Sequence, residues 1–310
     1  MKRNILITGI YGFIGANFAI YWNNHYPDDR IIGIDKMTYA ANPANLDSIA
    51  RHANMTCYRG DIADAVFVQS VFEKERPQWV VNFAAESHVD RSLNNPELFI
   101  HSNVLGVSVL MDACLRFGVN RFHQVSTDEV YGDLPLESTS AFTEESALHP
   151  SSPYAASKAS ADLLVLSYAR TYGLPITISR CSNNYGRFQH REKLIPKVID
   201  CACRGVSIPV YGRGDNRRDW IHVDDHCTAI DYILHRGKEN HIYNVSAHEE
   251  INNLELIRKI LAILGKSDDL ITFVNDRPGH DRRYAMDTSR LEKLGWKAKR
   301  NLDDYLNRLK

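Results

Sequence analysis

The stretch Asn4-Ile5-Leu6-Ile7-Thr8-Gly9-Ile10-Tyr11-Gly12-Phe13-Ile14-Gly15 decides the fold. Its β-branched opening, Asn4–Thr8, reads as a buried strand and passes straight into GxxGxxG and a helical segment. Gly9, Gly12 and Gly15 allow a tight turn and let backbone amides approach a pyrophosphate at the helix N-terminus. Asp35 stands twenty residues beyond Gly15 (35 − 15) and ends the next apolar run, Ile31-Ile32-Gly33-Ile34. A carboxylate there accepts from an adenosine ribose and repels a 2′-phosphate, which favours NAD over NADP; Lys36 beside it softens that preference. Asp61-Ile62 ends a third strand, within reach of an adenine edge.

Working outward, the rhythm repeats. Candidate strands at Arg30–Ile34, Met55–Arg59, Trp79–Phe83, Arg121–Ser126 and Pro175–Arg180 alternate with helical stretches. One helix runs from Leu98 to Phe117, with Ile100, Val104, Val107, Met111 and Cys114 at helical spacing as a core or packing seam, and stops at Gly118. Another starts just after Pro153. The pattern predicts an α/β fold: a Rossmann-type doubly wound parallel sheet with a smaller C-terminal substrate-binding lobe. After about Arg180, turn-rich loops such as Asn183-Asn184-Tyr185-Gly186 and Arg277-Pro278-Gly279-His280 separate shorter elements. The expected division is 1–180 for the NAD-binding domain, which also receives part of 220–245, and 181–310 mainly for the substrate lobe.

With 310 residues and 44% hydrophobic content, the chain is long enough for one large α/β domain or two coupled lobes. Its 37 Lys plus Arg nearly cancel 38 Asp plus Glu, leaving a net charge of -1. That balance gives no general drive toward nucleic acid or an anionic membrane, so an anionic ligand needs a local cluster of cations. Apolar runs break before the ~18 residues that span a bilayer. The N-terminal residues enter a strand pattern and not a signal-peptide core, so no membrane partner is expected and the location reads as cytoplasmic. Six scattered cysteines without a CxxC read as reduced thiols, and thirteen histidines show no metal-ligand spacing, so no metal is expected.

Two further groups carry chemistry. Tyr154 and Lys158 lie four apart and project from one helix face. An ammonium one turn away lowers a phenol's pKa, which makes Tyr154 a proton acceptor for an alcohol under oxidation. Thr127-Asp128-Glu129 follows the strand that ends at Ser126, where catalytic groups of parallel sheets gather. In an extended strand Asp128 and Glu129 face opposite ways, so joint action requires the backbone to turn there.

Longer motifs join these groups: Ala84-Ala85-Glu86-Ser87-His88-Val89-Asp90-Arg91-Ser92, Ser126-Thr127-Asp128-Glu129-Val130-Tyr131-Gly132, Ser151-Ser152-Pro153-Tyr154-Ala155-Ala156-Ser157-Lys158, Arg180-Cys181-Ser182-Asn183-Asn184-Tyr185-Gly186, Glu192-Lys193-Leu194-Ile195-Pro196 and Arg218-Asp219-Trp220. Together they resemble the extended short-chain dehydrogenase/reductase superfamily and, within it, the dTDP-glucose 4,6-dehydratases. The resemblance implies a nucleotide-sugar substrate, NAD as a bound cofactor, and Thr127, Asp128, Glu129, Tyr154 and Lys158 as catalytic groups. Tyr154 would take the 4-hydroxyl proton, Glu129 the C5 proton, and Asp128 would protonate the departing 6-hydroxyl. It further implies a cofactor lining of Gly9, Gly12, Phe13, Ile14, Gly15, Asp35, Lys36, Asp61, Ile62, Ala84, Ala85, Ser102 and Asn184 beside Tyr154 and Lys158. For the nucleotide sugar it implies Ser87, Thr127, Asn183, Lys193, Leu194, Pro209, Val210, Tyr211, Arg218, Asn253, Arg277 and His280. Lys193, Arg218 and Arg277 would supply local charge for a diphosphate. The helices Leu98–Phe117 and Tyr154–Tyr172 resemble a family dimer seam, which implies a homodimer. The segment Arg187-Phe188-Gln189-His190-Arg191 departs from the prolines and aromatics usual there.

Overall fold

The computed structural model describes residues 2–50 and 54–309. The chain opens with β1 (Asn4–Thr8), α1 (Phe13–His25), β2 (Arg30–Asp35), β3 (Met55–Arg59), α2 (Ala65–Glu75) and β4 (Trp79–Asn82). There follow α3 (Val89–Asn94), α4 (Pro96–Phe99), a π-helical turn Ile100–Leu105, α5 (Gly106–Phe117), β5 (Arg121–Thr127), a 3₁₀ turn Asp128–Tyr131, α6 (Pro153–Tyr172) and β6 (Ile176–Cys181). The remainder is β7 (Asn183–Tyr185), α7 (Leu194–Arg204), β8 (Ile208–Tyr211), β9 (Arg217–His222), α8 (Val223–Arg236), β10 (His241–Val245), β11 (Glu250–Asn252), α9 (Asn253–Ile263), β12 (Ile271–Val274), α10 (Ser289–Glu292) and α11 (Leu302–Asn307).

Ile5, Leu6 and Ile7 are wholly buried, which is what a central strand covered on both faces requires. The seven-stranded sheet has the order β10-β6-β5-β4-β1-β2-β3, all pairs parallel. The winding reverses between β1 and β4, so the loops after those two strands frame a crevice. One face packs Leu6, Val80, Phe122 and Ile178 against side chains of α2, α5 and α6; the other packs Ile5, Ile7 and Val81 against α1 and α8. Since β10 pairs with β6 and α8 covers the sheet, the chain returns to the first lobe between Val223 and Val245. The second lobe holds its own core of Ile195, Val198, Trp220, Leu256, Ile260 and Leu306 under the β11-β9-β7 and β12-β8 sheets.

The helical run before β5 differs from the simple expectation. Pro96–Phe117 is one helical run of 22 residues with a window of mean hydropathy 1.6, long and apolar enough to cross a membrane by length and composition alone. Apolar character thus extends further than reading by short runs suggested. Its stripe is only partly core: Val107, Met111 and Cys114 are buried, but Ile100 is 58% exposed. The π turn rotates Asn103 inward, where it accepts from Glu86 N at 2.9 Å and donates to Glu86 O at 3.0 Å and to Ser157 Oγ at 2.8 Å. The helix thereby ties the loop after β4 to α6.

Candidate active site

The glycine turn packs on the loop after β4 with no room for side chains. Gly9 has φ +64°, and a Cβ there would lie 2.9 Å from Ala84 Cα; a Cβ at Gly15 would lie 2.3 Å from Gly9 O. Gly12 caps α1 without any side-chain acceptor, so the first amides of the helix are left to a ligand. Asp35 Oδ2 accepts from Tyr11 N at 2.9 Å and Oδ1 from Met37 N at 2.8 Å, which pins the carboxyl at the end of β2. Burial pushes its pKa up, and the two amides oppose that. Asp61 lies two residues beyond β3, on the following turn and not on the strand. It holds Lys36 Nζ at 2.7 Å and His101 Nε2 at 3.0 Å, so Lys36 is engaged with Asp61 and does not offset Asp35. A cavity of about 110 Å³ is lined by Asp35, Lys36, Asp61, Ile62, Ala84, Ala85 and Ser102 together with Gly9 and Gly12. Fixed amides, a pinned carboxylate and a turn that tolerates no Cβ fit a dinucleotide.

An adjoining cavity of about 290 Å³ brings Gly12, Phe13, Ile14 and Gly15 together with Thr127, Asp128, Glu129, Tyr154, Lys158, Asn183 and Asn184. Thr127 starts the 3₁₀ turn by accepting from Glu129 N at 3.3 Å, and its hydroxyl donates to Asp128 Oδ1 at 3.1 Å. The turn is what lets two consecutive carboxyls enter one cavity. Asp128 is only 2% exposed, and its Oδ2 has no protein partner. Burial, then the Glu129 charge, pushes Asp128 well above the usual carboxylate range. Burial also raises Glu129, with Arg277, Arg218 and Lys193 pulling it back.

Tyr154 and Lys158 share a face of α6, which Ser152 caps by accepting from Ala155 N at 3.1 Å. The expected lowering of the phenol by Lys158 is not found. Burial and the Glu129 charge push Tyr154 well up, while the Thr127 hydroxyl acts in the opposite sense. Lys158 Nζ instead donates to Val125 O at 2.6 Å; burial lowers its pKa and Asp162 opposes that. Asp162 is itself paired with Arg180 at 2.9 Å in a fully buried ion pair.

A third cavity, of about 780 Å³, opens toward the second lobe and shares Ser87, Glu129, Asn183, Lys193 and Leu194 with the second. Pro209, Val210, Tyr211, Arg218, Asn253, Arg277 and His280 line it. The three cations expected to meet a diphosphate there are already held. Lys193 Nζ donates to Ser87 O at 3.0 Å, and Arg277 Nη1 meets Asp90 Oδ1 at 3.0 Å while Tyr211 OH donates to Asp90 Oδ2 at 3.1 Å. Arg218 donates to Arg217 O and Asp281 O, both at 2.8 Å, and covers the Tyr284 ring at 4.5 Å. His280 contacts Asp276 Oδ1 at 2.6 Å. Sequence reasoning gave no role to Cys181, Gln189, Trp220 or Tyr284, all of which line these cavities. Gln189, in the divergent 187–191 segment, donates to Asn184 O at 2.7 Å. Asp90 was visible only as a letter of the Ala84-to-Ser92 motif; its partner Arg277 lies 187 residues away.

The sequence model of the GDP-mannose 4,6 dehydratase family matches residues 6–309. The low-salt glycan biosynthesis protein Agl12 of Haloferax volcanii is 45% identical over 98% of this chain and 96% of its own length. The dTDP-glucose 4,6-dehydratase of Mycobacterium tuberculosis is 46% identical over 95% and 88%. The crystal structure of DesIV, a dTDP-glucose 4,6-dehydratase from Streptomyces venezuelae solved with NAD bound, superposes with a TM-score of 0.94 at 42% identity, covering 98% of this chain and 95% of that one.

Proposed function

The chain belongs to the GDP-mannose 4,6 dehydratase family within the short-chain dehydrogenase/reductase superfamily, and we propose that it is a dTDP-glucose 4,6-dehydratase. The reaction converts dTDP-glucose to dTDP-4-keto-6-deoxyglucose by oxidation at C4, loss of water across C5–C6 and reduction at C6. One observation carries the reading: Asp128 and Glu129 enter the same cavity as Tyr154. Elimination of water needs an acid and a base at once, and a single carboxyl cannot be both.

Gly9, Gly12, Phe13, Ile14, Gly15, Asp35, Asp61 and Ile62 would hold NAD, which would supply the acceptor for the C4 hydride and its donor to C6. Tyr154, with Thr127 and Lys158 beside it, takes the 4-hydroxyl proton as a phenolate; burial and the Glu129 charge raise its pKa against that role, and the positive ring of bound NAD would act in its favour. The resulting ketone acidifies the C5 proton, which Glu129 removes, while Asp128 delivers a proton to the leaving 6-hydroxyl. Burial and the neighbouring Glu129 charge push the pKa of Asp128 upward, the direction that an acid role demands. Glu129 then delivers a proton to C5, the abstracted one having exchanged with solvent in the interval. Lys193, Arg218 and Arg277 hold the diphosphate, and Ser87, Asn183, Leu194, Tyr211, Asn253 and His280 complete the nucleotide site.

The exposed apolar residues Leu98, Ile100, Leu105 and Leu163 lie on the Pro96–Phe117 run and α6. They support a homodimer formed through those helices, in place of a membrane contact. Sedimentation at micromolar protein tests this, with a monomer as the contrary result. Incubation with dTDP-glucose and, separately, UDP-glucose tests the activity: a 4-keto-6-deoxy product, seen by its alkaline absorbance, is expected from the first. An epimer or a pentose instead would overturn the assignment.

A further inference from the structure

The face of α6 that carries Tyr154 and Lys158 continues to a third polar residue. Asp162 stands four residues past Lys158, as Lys158 stands four past Tyr154, and side chains at that spacing leave a helix on one side. The proposed chemistry stops at Lys158. Yet Asp162 is 0% exposed, and its ion pair with Arg180 of β6 is closed to solvent on both sides. Such a pair is a poor source of stability, because desolvation offsets the attraction unless the remaining polar atoms are satisfied. Here they are not. Arg180 Nε donates to Asp162 Oδ2 at 2.9 Å, but Asp162 Oδ1 and Arg180 Nη1 have no partner among the described residues.

The neighbourhood of Lys158 gives the half-satisfied carboxylate a purpose. Lys158 is itself buried, and burial by itself favours the neutral amine. An amine has two hydrogens and no charge, whereas the ammonium has three hydrogens to donate. One of them goes to Val125 O at 2.6 Å, and the others remain for the cavity that Lys158 lines with Tyr154. The titratable groups around that ammonium are Tyr154 and Asp162 on α6, Cys181 at the end of β6, and Asp128 and Glu129 on the turn after β5. Asp162 is the foremost influence acting against burial, with Cys181 behind it. Asp128 and Glu129 change charge during the reaction. Asp162 lies behind the cavity wall, locked to a guanidinium that never loses its proton, and keeps its charge throughout.

We propose that Asp162 is a positioning residue for the reaction: the fixed carboxylate that keeps Lys158 an ammonium, with Arg180 holding that carboxylate ionised and in place. This inference rests on the dehydratase reading, in which Lys158 works beside Tyr154.

The test is the pH dependence of kcat for Asp162→Asn and for the apolar pair Asp162→Leu/Arg180→Met, read beside their melting temperatures. Asparagine leaves the Arg180 charge buried without a counter-charge, so that variant should melt below the parent. The apolar pair removes both charges and should recover most of the loss. The pH profile should not follow the melting temperature. Without the carboxylate Lys158 gives up its proton at lower pH, so the basic limb should move down by about one pH unit in both variants. A basic limb at the parent position in the asparagine variant, or one that returns with stability in the apolar pair, would mean that Asp162 and Arg180 only hold α6 against β6 and would overturn the proposal. Parent enzyme that forms no 4-keto-6-deoxy product would instead remove the dehydratase reading itself.

Discussion

The two ends of the groove are built from different materials. The dinucleotide end is made of backbone: a glycine turn against Ala84, uncapped helix amides, and Asp35 held by two main-chain N–H groups. The nucleotide-sugar end is made of long charged side chains restrained by partners distant in sequence, Arg277 by Asp90 and Arg218 by carbonyls near Asp281. A backbone site is rigid and intolerant of added atoms. A side-chain site is adjustable, and loses affinity one charge at a time. Between them sit the five groups proposed to do chemistry, Thr127, Asp128, Glu129, Tyr154 and Lys158, and the sharpest ways to break the comparison begin there.

Tyr154→Phe removes the proposed acceptor of the 4-hydroxyl proton, and kcat should fall by about 10²–10⁴-fold while calorimetric binding of dTDP-glucose is kept. Equal loss of binding would mean that the phenol holds substrate and does no chemistry. Gly15→Ala places a Cβ 2.3 Å from Gly9 O, so NAD affinity should drop at least tenfold with binding of dTDP little changed. Arg277→Ala should do the reverse. Loss of a charged hydrogen bond worth about 1.5–3 kcal/mol weakens nucleotide binding by roughly 10–100-fold and spares NAD. The same variant should shift the acid limb of the pH–rate profile upward. Glu129 acts as a base only when ionised, and Arg277 helps hold its pKa down, so removing that cation makes the group protonate at higher pH. An unmoved acid limb would take Glu129 out of the base position.

The smallest effect concerns stability. Asp128 has a raised pKa in the folded chain, so between the ordinary and the raised value the native state keeps a proton that the unfolded state has lost. Folding is therefore weakened as pH rises through that window. Asp128→Asn should melt about 1–3 °C higher than the parent at neutral pH, with the gap closing in acid below the unfolded carboxyl's pKa. A lower melting point at neutral pH would mean that the carboxylate is stabilised in ways its surroundings do not reveal.

How much of this was legible follows the same division. The glycine turn, Asp35 and the Tyr154/Lys158 pair are local patterns, each confined to one strand-turn or one helix face, and residue spacing is enough to find them. The six strands named from sequence all form, with five of their twelve ends displaced by one residue, and β10 completes the sheet. The charge balance was not legible, because it depends on neighbours far along the chain. Lys36 turns to Asp61, and Lys158 turns to the Val125 carbonyl and leaves Tyr154 raised instead of lowered. The Asp90–Arg277 contact, across 187 residues, has no local signature. The convergence of Asp128 and Glu129 is intermediate: Gly132 at φ +85° ends their turn, but only the Thr127 cap explains why the turn begins where it does.

The central claim is that a buried acid and its neighbouring base remove water across C5–C6 of one hexose. Turnover of dTDP-glucose in deuterium oxide, with the product analysed by NMR, tests it most directly. A single solvent deuteron at C5 of a 4-keto-6-deoxy sugar is the predicted result, and single-turnover amounts of Glu129→Gln should lose it. A product carrying no deuterium at C5, or unchanged incorporation in that variant, would contradict the account.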